Sequence, residues 1–225
     1  MSNYMSVRTK SNRISFQIAE RTCWVLLLLS LLVGIITVLA LSAGSEFIHP
    51  FTVVKELFGY GNGDYDFVLH TLRLPRVLMA LLVGAALGVA GLLLQGIIRN
   101  PLAAPDIIGI TSGASMGAII FIVYCMGSVS IQFLPLAAIL GAAIISFIIY
   151  LFSWRKGVTP IRMVLIGIGI SALAKAVVTM LLVMSEVAAT TKAYLWLTGS
   201  LYGANMQDVY LLLPWVVILL PLTFM

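Results

Sequence analysis

Arg73–Gly117 reads RLPRVLMALLVGAALGVAGLLLQGIIRNPLAAPDIIGITSGASMG. Two apolar runs are joined here by a short polar turn holding Arg99, Asn100, Pro101, Pro105 and Asp106. Glycines recur at intervals of four, Gly84 and Gly88 before the turn, Gly109, Gly113 and Gly117 after it. On a helix that interval puts them on one face, where the missing side chains let two backbones approach closely in lipid. The stretch therefore predicts two helices of a close-packed transmembrane bundle, with these five glycines as packing positions.

Working outward, the composition agrees. Of 225 residues, 61% are hydrophobic and 9% charged, against roughly 25% charged in a soluble domain. Apolar runs place about six crossings of a hydrocarbon core about 30 Å thick, near residues 22–45, 75–98, 106–126, 132–154, 161–184 and 209–225. Gly127, Ser128, Ser130, Gln132 and Pro135 divide the charge-free stretch from Ile107 to Trp154 into two of them. The expected fold class is all-α, a polytopic transmembrane helical bundle. Residues 1–21 form an N-terminal segment and residues 22–225 the membrane domain. The first apolar run exceeds the 7–15 residues of a signal-peptide core and is read as an uncleaved helix.

The net charge of +5 is distributed by side. Arg8, Lys10, Arg13 and Arg21 precede the first run, Arg99 follows the second, and Arg155, Lys156 and Arg162 separate the fourth from the fifth. On the opposite side Lys55, Arg73, Arg76 and Lys192 face Glu46, Glu56, Asp64, Asp66, Glu186 and Asp208. The positive-inside rule then puts the N-terminus in the cytoplasm. Basicity here records topology, and no nucleic-acid partner is expected.

The residues offer little for catalysis. No Walker A sequence, nucleophile elbow or HExxH appears. His49 and His70 stand 21 residues apart, so no metal site is expected. Cys23 and Cys125 suit small apolar positions. The fifth run is chemically unusual, because Gly167, Ser171, Lys175 and Thr179 form a stripe at i+4. Lys175 lies too deep for its stem to reach either interface easily. Two readings stand at this point: the stripe lines a hydrated pathway, or Lys175 pairs with a neighbouring helix. Ser185–Gln207 follows, with Trp196, Thr198, Gly199 and Ser200 in a segment suited to the membrane interface. A short helix is expected over Ala193–Leu201.

The wording of these segments closely resembles the FecCD-type permeases, the membrane subunits of ABC importers for iron–siderophore complexes, haem and cobalamin. RLPR at Arg73–Arg76, GAALGVAG, and LQGIIRNPLAAPDIIGITSGASMG carry the resemblance. LIGIGISAL in the fifth run and WLTGSLYG at Trp196–Gly203 extend it in the same order. The last of these is more similar to siderophore permeases than to cobalamin ones.

The resemblance implies about ten crossings per subunit, of which this chain supplies about six. It implies a second permease subunit, identical or not, two cytoplasmic ATPase subunits that use the ATP, and an external substrate-binding protein. Arg73 and Arg76 match the family's docking arginines for that protein. Gly167, Ser171, Lys175, Thr179, Trp196, Thr198, Gly199 and Ser200 match segments beside the substrate path. A ferric siderophore is the implied cargo, the bacterial cytoplasmic membrane the implied location, and no cofactor is implied for the permease itself. Lys175 departs from the small residues of the family's helix. The chain also lacks the family's coupling helices and second half, so it is read as the N-terminal two-thirds of a permease. Such a piece is expected not to couple to ATP hydrolysis. The alternatives are a non-transporting membrane scaffold with this fold, or a carrier of haem or cobalamin.

Overall fold

The computed structural model describes residues 4–8, 15–154, 157 and 159–223, with backbone only for 4–8 and 15–18. Lys10, Arg13, Arg155 and Lys156, which enter the charge argument, lie outside the described residues. The chain divides into two units, residues 1–81 with 203–212 and residues 82–202 with 213–225.

In the first unit, β1 (Tyr4–Arg8) pairs antiparallel with β2 (Ser15–Ala19), Tyr4 opposite Ala19 and Arg8 opposite Ser15. This hairpin is an addition to the expected helices, which hold from Glu20 onward. Its apolar residues alternate with polar ones, Met5 and Val7 in β1 and Phe16 and Ile18 in β2, a period-2 signal that the polar, basic character of the segment masks. α1 (Glu20–Ser42) has 23 residues, about 34 Å at helical rise. Among its residues only Leu41 and Ser42 are buried, while apolar side chains from Trp24 to Leu39 are exposed. A helix that is apolar all round suits lipid or other helices, not water.

α2 (Pro50–Leu57) begins at His49, whose Nδ1 accepts from the Phe51 N–H at 3.3 Å, with Pro50 in the first turn. It lays Val53 against Leu41, Ile48 and Leu69, which form the small core of this unit. Glu56 is buried, and its Oε1 accepts from the Gly63 N–H at 3.1 Å. Gly63 has φ +83°, a left-handed turn that glycine adopts without strain. His70 Nδ1 lies 2.9 Å from Asp66 Oδ1. A wide π-helical turn, Phe67–Arg73, runs without a break into α3 (Leu74–Ile98).

The second unit takes up the later part of α3. A side chain added at Gly84 or Gly88 would meet nothing within 4 Å. The expected packing at these two glycines is therefore absent among the described residues, and they line an open face of α3. The expected third crossing is broken: α4 (Pro105–Ile108) ends at Gly109, φ +94°, and α5 (Ile110–Ile120) continues through a π-helical turn, Phe121–Cys125. α6 (Leu134–Ser153) and α7 (Pro160–Met184) follow. α8 (Val187–Thr198) starts earlier than the short helix expected at Ala193, because Glu186 supplies an extended N-cap and no breaker follows. α9 (Met206–Leu222) closes the described chain and belongs to both units.

Gly113 and Gly117 do pack as expected, and their partner is α6. A Cβ on Gly113 would lie 2.6 Å from Ile145 Cβ and 2.8 Å from the Gly141 carbonyl. One on Gly117 would sit 3.0 Å from Gly141 Cα. Gly109 instead faces α7, 3.0 Å from the Gly167 carbonyl by the same measure. It departs from the ladder because its left-handed φ turns the chain at that point. Ala118, Ile119, Ile122, Leu134, Ala138, Val178, Leu182 and Ala193 form one apolar core here, and Ile108, Ile145 and Ile149 a second.

Among the described residues, Glu20–Ser42, Phe67–Ile98, Ile131–Ser153 and Pro160–Met184 are long and apolar enough to cross a membrane. Ile110–Cys125 and Met206–Leu222 are shorter apolar helices.

Candidate functional site

Arg73 sits at the end of the π-helical turn and is 8% exposed. Its Nη1 donates to the carbonyls of Leu41 at 2.7 Å and Ser42 at 3.0 Å, and its Nη2 donates to the carbonyl of Glu46. Leu41 and Ser42 end α1, where carbonyls lack helical partners and the macrodipole is negative. Gly44 has no room for a side chain, since a Cβ there would lie 2.7 Å from the guanidinium carbon. The planar fork thus ties the end of α1 and the turn after it. This position differs from the expected outward-facing docking residue: the guanidinium is engaged by carbonyls inside its own unit. Arg76, one turn on, is half-buried.

The turn after α3 is built from the expected residues. Arg99 closes the helix at φ +55°, a left-handed conformation uncommon outside glycine. The Asn100 Oδ1 accepts from the Leu102 N–H at 2.9 Å, an Asx turn. Pro101 continues the turn, and Pro105 takes the first position of α4, where its missing N–H costs nothing. Asp106 follows in the first turn of α4.

Asp106 is also one wall of a cavity of about 630 Å³ in the second unit. Its lining comprises Asp106, Thr111, Ser112 and Ser115 from α4 and α5, Lys175, Val178, Thr179 and Leu182 from α7, and Tyr194 and Leu197 from α8. Lys175 and Thr179, two of the expected pathway residues, line this cavity together with the α5 hydroxyls and Tyr194.

The rest of the expected pathway separates. Gly167 and Ser171 are buried against the Ile108–Gly109 turn, and neither lines the cavity. The physical reason is that a glycine at 167 admits the Ile108 backbone, which then covers that part of the α7 stripe. Trp196 packs on the apolar core. Thr198 and Gly199 end α8 and are exposed, and the Ser200 Oγ accepts from the Tyr202 N–H at 3.0 Å.

The three α5 hydroxyls of the cavity differ from many helical hydroxyls of the chain, including Thr179 in the same lining. Ser30, Thr37, Ser42, Ser146, Ser171, Thr179 and Thr191 each donate to the carbonyl four residues back. Thr111, Ser112 and Ser115 make no such bond, and none of the described residues partners their hydroxyls. Nor is any carboxylate among the described residues within 4 Å of the Lys175 ammonium. An uncompensated lysine in hydrocarbon costs at least about 2.5–3.5 kcal/mol, whereas one facing water or a polar ligand does not. A free cation beside free hydroxyls is chemically a receptor for hydrated or anionic oxygen-rich matter.

The FecCD transport family profile matches residues 27–225. An achromobactin transport system permease protein of Dickeya dadantii is 42% identical over 217 residues, which cover 93% of this chain and 62% of that protein. An iron(3+)-hydroxamate import system permease protein of Bacillus subtilis is 39% identical over 199 residues, 86% of this chain and 59% of that protein. Among solved structures, a transporter described as of metal-chelate ABC type, in an inward-facing conformation, matches with a TM-score of 0.71 and 29% identity. That match covers 87% of this chain and 58% of the solved one. The chain thus spans less than two thirds of the length of the relatives it matches.

Proposed function

The chain belongs to the FecCD transport family, and we propose on that premise that it is the membrane-spanning permease part of an ABC importer for ferric siderophores. The observation that carries this reading is the polar cavity with its unpaired lysine, set among helices apolar enough for lipid. A membrane scaffold without cargo has no use for a cation and three free hydroxyls at that depth. The names of the relatives, for achromobactin and for iron(3+)-hydroxamate, support a ferric chelate as the cargo class.

The working unit pairs two permease subunits, with two ATPase subunits on the cytoplasmic side and a substrate-binding protein on the other. The N-terminus lies in the cytoplasm of a bacterial cell, by the charge asymmetry. The permease binds no ATP and performs no covalent chemistry. Of the two RLPR arginines, Arg76 meets the binding protein, and Arg73 fixes the turn behind the docking face by holding carbonyls.

Deletion of the gene tests the reading. Under iron limitation, the deletion strain should stop growing on at least one ferric siderophore from a panel, and the intact gene should restore growth. Unchanged uptake of every siderophore in the panel would sink the assignment.

A further inference from the structure

We infer that Lys175 makes this permease selective for ferric chelates that carry net negative charge, such as ferric polycarboxylates. The inference rests on the importer reading above and adds the charge class of its cargo.

Three independent observations converge on it. Lys175 is exposed to the cavity and has no acidic partner among the described residues. A cation left in that state at mid-helix calls for an anion or water opposite it. Thr111, Ser112 and Ser115 present hydroxyls from α5 to the cavity, none of them bonded to another described residue. Hydroxyls are donors that carboxylate oxygens accept, and Tyr194 adds a phenol at the α8 wall. The cavity of about 630 Å³ is large enough for a chelate rather than a bare ion.

Asp106 lines the same cavity and opposes an anion. It does not neutralise Lys175. Gly167 meets Ile108, two residues from Asp106, and Lys175 stands eight residues further along α7, about 12 Å at helical rise. Attraction at one depth and repulsion at the other keep the site from holding its cargo permanently, which passage requires.

The test is uptake of radioactive iron by cells whose other chelate importers are deleted, with substitutions made at the chromosomal gene. Ferric citrate serves as the anionic probe and a neutral ferric trihydroxamate as the other, with the permease quantified in membranes by immunoblot. The wild type should import the anionic probe. Lys175→Gln should lower that uptake about tenfold and Lys175→Glu about a hundredfold, at unchanged abundance. Lys175→Arg should retain it, and any import of the neutral probe should be unaffected. Import of the neutral probe alone by the wild type would overturn the inference and leave the importer reading intact. Equal losses for both probes, or for all three substitutions, would also overturn it, pointing to a lysine that pairs with another helix. Import of no ferric chelate by the wild type would instead remove the importer reading itself.

Discussion

The guanidinium of Arg73 serves the carbonyls of Leu41 and Glu46, and joins the Ile48 N–H on that of Ser42. Hydrogen bonds from a charged donor contribute about 1.5–3 kcal/mol each, and buried unpaired carbonyls add a penalty when the donor is lost. Arg73→Ala should therefore destabilise the protein by about 2–4 kcal/mol, read as a lower midpoint in thermal unfolding of the detergent-solubilised protein. Arg73→Lys should recover only part of the loss, since an ammonium cannot span three carbonyls as a fork does. A midpoint equal to wild type in the alanine variant would refute the clamp. Residues of this kind are hard to read from sequence. RLPR marks Arg73 as special, but its burial depends on residues 41–46 folding back on it. Lys175 is the opposite case, because a charge inside an apolar helix is visible without knowing any neighbour. Thr111, Ser112 and Ser115 are not legible in this way, because hydroxyls are common in such helices and only their place in the cavity wall sets them apart.

At the level of elements, α5 and α6 meet through main chain. A Cβ on Gly141 would run into the Gly113 carbonyl and approach Gly117 Cα at 2.9 Å. Overpacking of a tight contact costs about 1–3 kcal/mol. Gly141→Leu should accordingly lower the thermal midpoint of the detergent-solubilised protein and the amount of protein found in membranes by immunoblot. Full stability in that variant would show that the helices can part without loss. The glycine period predicted this face of α5, yet not its partner. Gly141 sits with Ala137 and Ala138 in a run of ordinary transmembrane wording, so nothing singled it out. Gly84 and Gly88 show the converse, a well-spaced pair with nothing within 4 Å of an added Cβ among the described residues. Spacing reports that a helix can be approached closely; it does not name what approaches. The break at Gly109 was also hidden, because a glycine at a left-handed turn and a glycine in a ladder look alike in sequence.

At the scale of the whole molecule, the fold class was legible from composition and apolar run length, since each helix must satisfy its own backbone in lipid. The hairpin at Tyr4–Arg8 and Ser15–Ala19 was less so, because its short alternation of Met5, Val7, Phe16 and Ile18 with polar residues lies inside a basic leader. Assembly adds a prediction of its own. Arg76 is the second RLPR arginine and the docking residue of the proposed function. Arg76→Glu should weaken association of the assembled importer with its binding protein at low salt, by up to roughly fivefold for one exposed pair. The difference should shrink as salt rises. Wild-type affinity at low salt would remove that role. The backbone contact at Gly113, Gly117 and Gly141 bears on the same machine in mechanical terms. A joint made of side chains can be reset by changing rotamers, and a joint made of main chain cannot. α5 and α6 are therefore held closely together, and in the importer proposed above a rearrangement that lets cargo past would carry them as one lever. The free hydroxyls of α5 ride on that lever, so whatever moves it presents or withdraws all three at once.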